Sequence, residues 1–260
     1  MPTPIIGLGT IVTVDSKTID LIVNAKPPMR DRELVDITTL DATLQTYLPG
    51  IEKHSEFTFR LLRDPDDTDQ TSLDTLFGTA RTFNGYLPGE VTQADVEAIY
   101  DLLKMGPTSA NQQPARFVWC LSQEAKDTLA DCATGSNPDK IRAAPAAVVI
   151  GMDLDFHEEL PWLFPHTDAK SWFEGPQEKR RDSAFRNGSL QGAYFIMAAR
   201  ALGWDTGPMS GFDAAKVEAA FFADQPSVRV NFISTLGKGD PATIFGRSPR
   251  PDFRKFNKIG

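Results

Sequence analysis

Cysteine is almost absent from this chain: Cys120 and Cys132 are its only two. Two thiols cannot build a disulfide scaffold and fit a reducing compartment, so cytoplasm is the expected location. Histidine is nearly as scarce. His54, His157 and His166 are scattered, and HEEL at 157–160 lacks the second histidine of a zinc-protease motif. Each is read as a surface histidine, and no metal site is expected. No apolar run approaches a membrane span, and the N-terminus lacks the basic start and apolar core of a signal peptide. The net charge of −8 argues against a nucleic-acid binder, which needs a basic face to displace counterions. Nucleotide and nucleophile motifs are missing too. There is no GxxxxGK[ST] and no GxSxG, and GLGT at 7–10 is too short for a dinucleotide fingerprint. A chain with neither nucleophile nor metal box points to chemistry borrowed from an organic cofactor.

What is present falls into two parts. With 260 residues the chain can hold one large domain or two small ones. TIVTVDSKTIDLIVNA alternates apolar and polar residues with many β-branched side chains, and EFTFRLL at 56–62 does so again. Both read as strands with one wet face. Residues 1–70 carry −5 of the charge, and DPDDTDQ at 64–70 reads as a linker. Beyond residue 71 the period becomes helical. Thr92 is a candidate N-cap with Asp95 at capping-box spacing, and Val96, Ile99, Tyr100 and Leu103 share one face. RFVWCL (116–121) and AAVVI (146–150) read as buried strands, with a helix from Ser122 to Cys132 between them. Residues 178–202 form the strongest helix, nearly all apolar in its second half and stopped by Gly203. Such a helix belongs in a core or a subunit interface. VRVNFISTLG (228–237) is the last strand. Together these elements predict an α+β fold, an α/β sandwich whose central mixed sheet is flanked by helices, with a β-rich N-terminal segment.

One loop and the tail carry the candidate chemistry. GPTSANQQPARF (106–117) is dense in neutral hydrogen-bonding groups: Ser109, Asn111, Gln112 and Gln113. Amides offer donors and acceptors together, the mixture that the pyrimidine edge of a flavin requires. RSPRPDFRKFNK (247–258) gathers Arg247, Arg250, Arg254, Lys255 and Lys258, and arginine forks onto phosphate oxygens. On composition alone an ordinary turn and a solvated basic end remain open.

The order of motifs decides between these readings. ARTFNG (80–85), PTSANQQP (107–114), NPDK (137–140), GPMSGFD (207–213) and RSP (247–249) follow one another as in the nitroreductase family of FMN flavoproteins, which residues 71–255 resemble. LFPHTDAKSWF (163–173), AFRNGSLQGAY (184–194) and LGWDTGPMSGFD (202–213) look most like its malonic semialdehyde reductase subgroup. The resemblance implies that Arg81 and Arg247 bind the FMN phosphate. Asn137 and Lys140 would reach the ribityl chain and the polar edge of the ring. Ser210 and Gly211 would present backbone N–H groups near it. Ser109 and Asn111 would approach the flavin of a partner subunit in a homodimer. Pro107, Gln113, Pro208 and Arg250 complete the implied set. Phe83 and Gly85 stand where the family often has a second polar and a second basic residue, so phosphate binding must lean on Arg247 or Arg250.

The implied reaction passes a hydride from NADPH or NADH through flavin N5 to a small acceptor, malonic semialdehyde before nitro compounds or quinones. No residue is assigned as the proton donor. His166 and Asp168 lie in the subgroup-like segment, where a structural role outweighs substrate contact. Residues 5–69 belong to none of this. RELVDITTLDAT, YLPGIEKHSEFTF and DPDD resemble parts of phage tail tube proteins, which stack as rings. The expected division is a tail-tube-like segment at 1–70, truncated or fused, and an FMN domain at 71–260. A family-specific β extension is the alternative, and a structural assembly protein is the rival function.

Overall fold

The structure, a computed structural model, describes residues 11–14, 17–20 and 73–260. Two compact units divide the chain, Met1–Thr68 and Asp69–Gly260. In the first, β1 (Ile11–Val14) and β2 (Lys17–Asp20) pair antiparallel, with Ile11 opposite Asp20 and Val14 opposite Lys17. EFTFRLL, the 64–70 linker and His54 lie outside the described residues.

In the second unit the local signals act as their chemistry dictates. Thr92 caps α1 (Gln93–Leu103) in a reciprocal capping box with Asp95, which holds the Asp95 carboxyl below its usual range. Val96, Ile99 and Leu103 are buried on its inner face. Tyr100, expected on that face, is 45% exposed because the three aliphatic residues already fill the contact; its ring meets the edge of Phe117 instead.

β3 (Ala115–Cys120) follows, then α2 (Gln123–Cys132) capped by Ser122, α3 (Asn137–Ala143) and β4 (Ala146–Asp153). The short helix α4 (Leu160–Leu163) leads to the long α5 (Glu178–Ala201). It stops at Gly203, whose φ of 75° is the left-handed conformation that glycine adopts freely. β5 (Asp205–Met209), α6 (Ala214–Phe221), β6 (Val228–Gly237) and the single turn α7 (Phe253–Phe256) complete the order.

The sheet runs β3-β4-β6-β5 and is antiparallel throughout its four strands. The sheet is thus not the mixed one expected: the one parallel bridge among the described residues, Thr82 to Thr206, is isolated and adds no strand. β4 reads as an unbroken apolar run because both of its faces are covered. Val148 and Ile150 point into a core with Ile99, Phe195 and Leu236, while Ala147 and Val149 join Leu129, Ile141, Val217 and Ile233 on the other side. β3 is an outer strand, so the residues between Ala115 and Cys120 are half-buried, short of the full burial its composition predicts.

The connection from β4 to α5 makes a core of its own from Met152, Leu154, Phe156, Leu160, Ala169 and Ala184. The buried Arg180 guanidinium knits it together, donating to the carbonyls of Leu154, Phe173 and Gly175 and pairing with Asp155. His157 lies in this excursion and is buried, against the surface position expected of it. Its 3-10 turn (Phe156–Glu159) packs inward, and the ring meets Phe156 edge-on. No helix among the described residues is long and apolar enough to cross a membrane.

Candidate functional site

Close approach of α5 to the sheet sets the geometry. Gly192 has no room for a side chain: a Cβ there would stand 2.3 Å from the Phe232 ring. With the helix seated so closely, Ser189, Ala193 and Ile196 face Pro208, Met209, Ser210 and Phe232 across an open cleft of about 390 Å³. That volume lies in the range of small-molecule sites, roughly 300–1,000 Å³. Of the expected residues, Pro208 and Ser210 line it directly. Gly211 adjoins them, and its carbonyl accepts from Thr134 N–H and Asn137 Nδ2, both at 3.0 Å. Asn137, in the first turn of α3, is thereby joined to the end of β5. Lys140 is one turn further along and makes no side-chain hydrogen bond or ion pair among the described residues.

β5 leads from this cleft to a cluster of arginines. Thr206, two residues before Pro208, bridges Thr82 and accepts from Phe83 N–H at 3.2 Å. Two strand residues span about 7 Å, so the segment beginning at Arg81 starts close to the cleft. Arg81 donates to the Phe245 carbonyl. Arg247 returns the contact, donating to the carbonyls of Gly78 at 2.8 Å and Ala80 at 3.0 Å. Arg200, at the end of α5, reaches the Leu76 carbonyl at 2.9 Å. Burial lowers its pKa, and the positive charge of Arg247 lowers it further against an opposing effect of Asp205. Two guanidiniums therefore hold residues 76–80, and a third, that of Arg81, extends from the end of the segment to Phe245. Arg250 does not join them; it donates to the carbonyls of its own neighbours Ser248 and Pro249.

The polar loop forms a third group. Ala110, Asn111 and Gln113 have φ of 49°, 48° and 40°, three left-handed positions without glycine on either side of a right-handed Gln112. Each such position costs about 1–3 kcal/mol unless its surroundings fix it, and such strain gathers at functional sites. Here α5 fixes it. Ser183, Asn187, Gln191 and Tyr194, spaced by four, four and three residues, form one helix face. Ser183 Oγ donates to Gln112, Asn187 Oδ1 accepts from Ser109 N–H, Gln191 pairs with Gln113, and Tyr194 donates to the Pro107 carbonyl. Gln112, Asn187 and Gln191 are buried, and each is satisfied. The amides of Gln112 and Gln113 are thus engaged within the chain, while the Ser109 side chain is exposed. The helix ladder eluded the sequence reading, although polar residues at helical spacing in an otherwise apolar helix are its signal.

Asn111 joins the loop to the excursion between β4 and α5, its Nδ2 donating to the Leu163 carbonyl at 2.8 Å and its Oδ1 accepting from Gln113 at 3.0 Å. Asn111→Ala removes both bonds and leaves a β-carbon in a left-handed position, an expected loss of about 1–3 kcal/mol. Asn111→Gly removes the same bonds and relaxes the backbone, so thermal melts should rank wild type above the glycine variant and alanine last. Reversal of the two variants would mean that the loop is not strained. Of the subgroup-like segment, Asp168 accepts from Ser171 within its own turn, and the exposed His166 packs edge-on against Phe164 at 5.3 Å.

The donor set suits an elongated ligand with a planar body and an anionic end. Between cleft and arginines, buried Thr206 Oγ1 has no hydrogen-bond partner among the described residues. The arginines retain N–H groups beyond those that hold backbone carbonyls, the fork that a phosphate monoester accepts. The implied FMN therefore fits the residues present.

The model of the nitroreductase family matches residues 80–238. A Stenotrophomonas maltophilia (strain R551-3) protein named as an NADH dehydrogenase/NAD(P)H nitroreductase is 59% identical over 191 residues, spanning 74% of this chain and 97% of its own. The nitroreductase-type protein ydfN of Bacillus subtilis superposes with a TM-score of 0.67 at 25% identity, covering 74% of this chain and all of its own. An FMN complex of a nitroreductase-type protein from Exiguobacterium sibiricum 255-15 shares the fold, with a TM-score of 0.64 at 20% identity over 72% of this chain and 96% of that one.

Proposed function

The chain belongs to the nitroreductase family, and from that premise we propose that it is an NAD(P)H-dependent FMN oxidoreductase. The observation that carries this reading is the path along β5 from the cleft at Pro208–Ser210 to the guanidiniums of Arg81 and Arg247. When bound, FMN supplies hydride transfer between a reduced nicotinamide and an acceptor. The chain supplies the rest. Arg81 and Arg247 hold the phosphate. Pro208, Ser210 and Gly211 bound the ring, and Asn137 fixes the Gly211 carbonyl so that this edge is preorganised. Lys140 brings positive charge to the same edge. Ala193 and Ile196 form an apolar wall that limits water.

Pro107, Ser109, Asn111 and Gln113 complete the site of a second copy in a homodimer. Support comes from large apolar side chains left on the surface, among them Met105, Phe185, Leu190, Phe245, Phe253 and Phe256. Asn111→Ala is then expected to weaken FMN retention beyond its cost to stability. The acceptor is malonic semialdehyde, reduced to 3-hydroxypropanoate; the subgroup-like residues 163–173 support it through the bond from Asn111 to Leu163. A broader nitro and quinone reductase is the second reading, favoured by the names of the relatives. Residues 1–70 are a passenger to this activity, and the buried Cys120 and Cys132 thiols suit the cytoplasm.

Purified protein should be yellow, dimeric and able to oxidise NAD(P)H when an acceptor is present. Malonic semialdehyde should outperform a nitroaromatic in kcat/KM on flavin-loaded protein; the opposite ranking favours the second reading. A chain beginning at Ser72 should keep flavin and rate. Colourless protein assembled into rings would sink the enzyme reading in favour of the tail-tube one.

A further inference from the structure

The helix face that lines the cleft does not end with it. Ser189, Ala193, Ile196 and Arg200 are spaced by four, three and four residues, a narrow stripe on one side of α5. Arg200 stands four residues beyond Ile196, about 6 Å further along the axis. β5 makes the same passage in the opposite direction, from Thr206 beside Thr82 to Pro208 and Ser210 in the cleft. Two separate elements thus lead from cleft to arginines, and one of them ends in Arg200.

We propose that Arg200 is a third phosphate-binding guanidinium, supplying the charge that the opening segment lacks at Phe83 and Gly85. The proposal rests on the FMN reading and adds a residue that neither the motif order nor the tail contains. Arg200 uses Nη1 on the Leu76 carbonyl and makes no other hydrogen bond among the described residues. Its neighbouring carboxylate, Asp205, accepts from Gly239 N–H at 2.8 Å and forms no salt bridge with it. Arg81 and Arg247 hold carbonyls of Phe245, Gly78 and Ala80, which are neutral. Among the described residues the three guanidiniums still outnumber the nearby carboxylates, Asp205 and Asp74, the latter with its Oδ1 beside Gly78. A phosphate dianion reverses that imbalance, and each guanidinium has free N–H groups to receive it. Attraction to the C-terminal end of α5 accounts for one cation in its last turn, but not for two more gathered around it.

Apoprotein titrated with FMN and with riboflavin, which lacks the phosphate, reads this directly through flavin fluorescence. Arg200→Gln keeps a donor for Leu76 and removes the charge. It should raise the Kd for FMN about tenfold, leave riboflavin within about twofold, and flatten the salt dependence of FMN binding. Arg200→Lys keeps the charge without the fork, and its selective loss should be smaller, about threefold. Should the glutamine variant fail to fold, the lysine variant alone decides by the same ratio of FMN to riboflavin. Equal losses for both flavins, or none, overturn the proposal and leave Arg200 as a prop for residues 76–80. A changed preference between NADPH and NADH with FMN affinity intact overturns it as well. Wild-type apoprotein that binds riboflavin and FMN equally removes the phosphate site; binding neither removes the flavin reading beneath it.

Discussion

Gly207→Ala should lower the melting temperature by about 2–12 °C and release bound flavin. A Cβ on Gly207 would lie 2.4 Å from Thr235 Oγ1, 2.7 Å from the Phe83 carbonyl and 3.0 Å from the Tyr86 hydroxyl. None of the three can move aside easily. Thr235 Oγ1 and Tyr86 Oη are hydrogen-bonded at 2.6 Å, and burial raises the Tyr86 pKa so that the phenol stays protonated. Phe83 is backbone, held to β5 through Thr206. The added methyl must push residues 82–86 off the strand. Overpacking of this kind costs about 1–3 kcal/mol, and a domain of this size loses about 2–4 °C per kcal/mol. The same displacement moves Arg81, so the Kd for FMN should rise at least about tenfold, the cost of one misplaced charged contact. Gly89→Ala is the control, because nothing among the described residues lies within 4 Å of a Cβ there. Its melting should stay within about 0.5 kcal/mol of wild type. A Gly207→Ala protein as stable as the control would show that residues 82–86 are not clamped to β5.

How much of this was legible in the chain depended on whether a signal was local. The capping box of Thr92 and Asp95 contains both of its partners, so four residues suffice to read it. The apolar run of β4 announced coverage on both faces, and its two cores agree. Where an outcome turned on what lies opposite, the sequence was silent. β3 is as apolar as a central strand but stands at the sheet edge, and Tyr100 faces a contact that smaller residues already fill. His157 sits in a charged stretch, yet its turn folds inward against Phe156. The site shows the same division. Motif order points to Arg81 and Arg247, but the bonds that tie their two segments together span more than 160 residues of chain. Arg200 carries no such signal, because a basic residue in the last turn of a helix is what the helix dipole favours anyway.

The bonds between their segments make Arg81 and Arg247 a measurable pair. Arg81→Ala and Arg247→Ala should each raise the Kd for FMN on the order of 100-fold, since hydrogen bonds to a charged group are worth about 1.5–3 kcal/mol. Riboflavin should shift far less. The double variant should fall short of the product of the two, nearer 1,000-fold than 10,000-fold on the scale of coupled neighbours. The reason lies in the crossing of the segments. Arg81 anchors the carbonyl of Phe245, two residues before Arg247, and Arg247 anchors Gly78 and Ala80 on the approach to Arg81. Removing either side chain loosens the backbone that carries the other, so part of each single loss is already the loss of its partner. Strictly multiplicative effects would show that each arginine reaches the phosphate from a segment that stands without the other. Equal effects on riboflavin would assign both residues to tying the tail to the opening segment, with no phosphate between them.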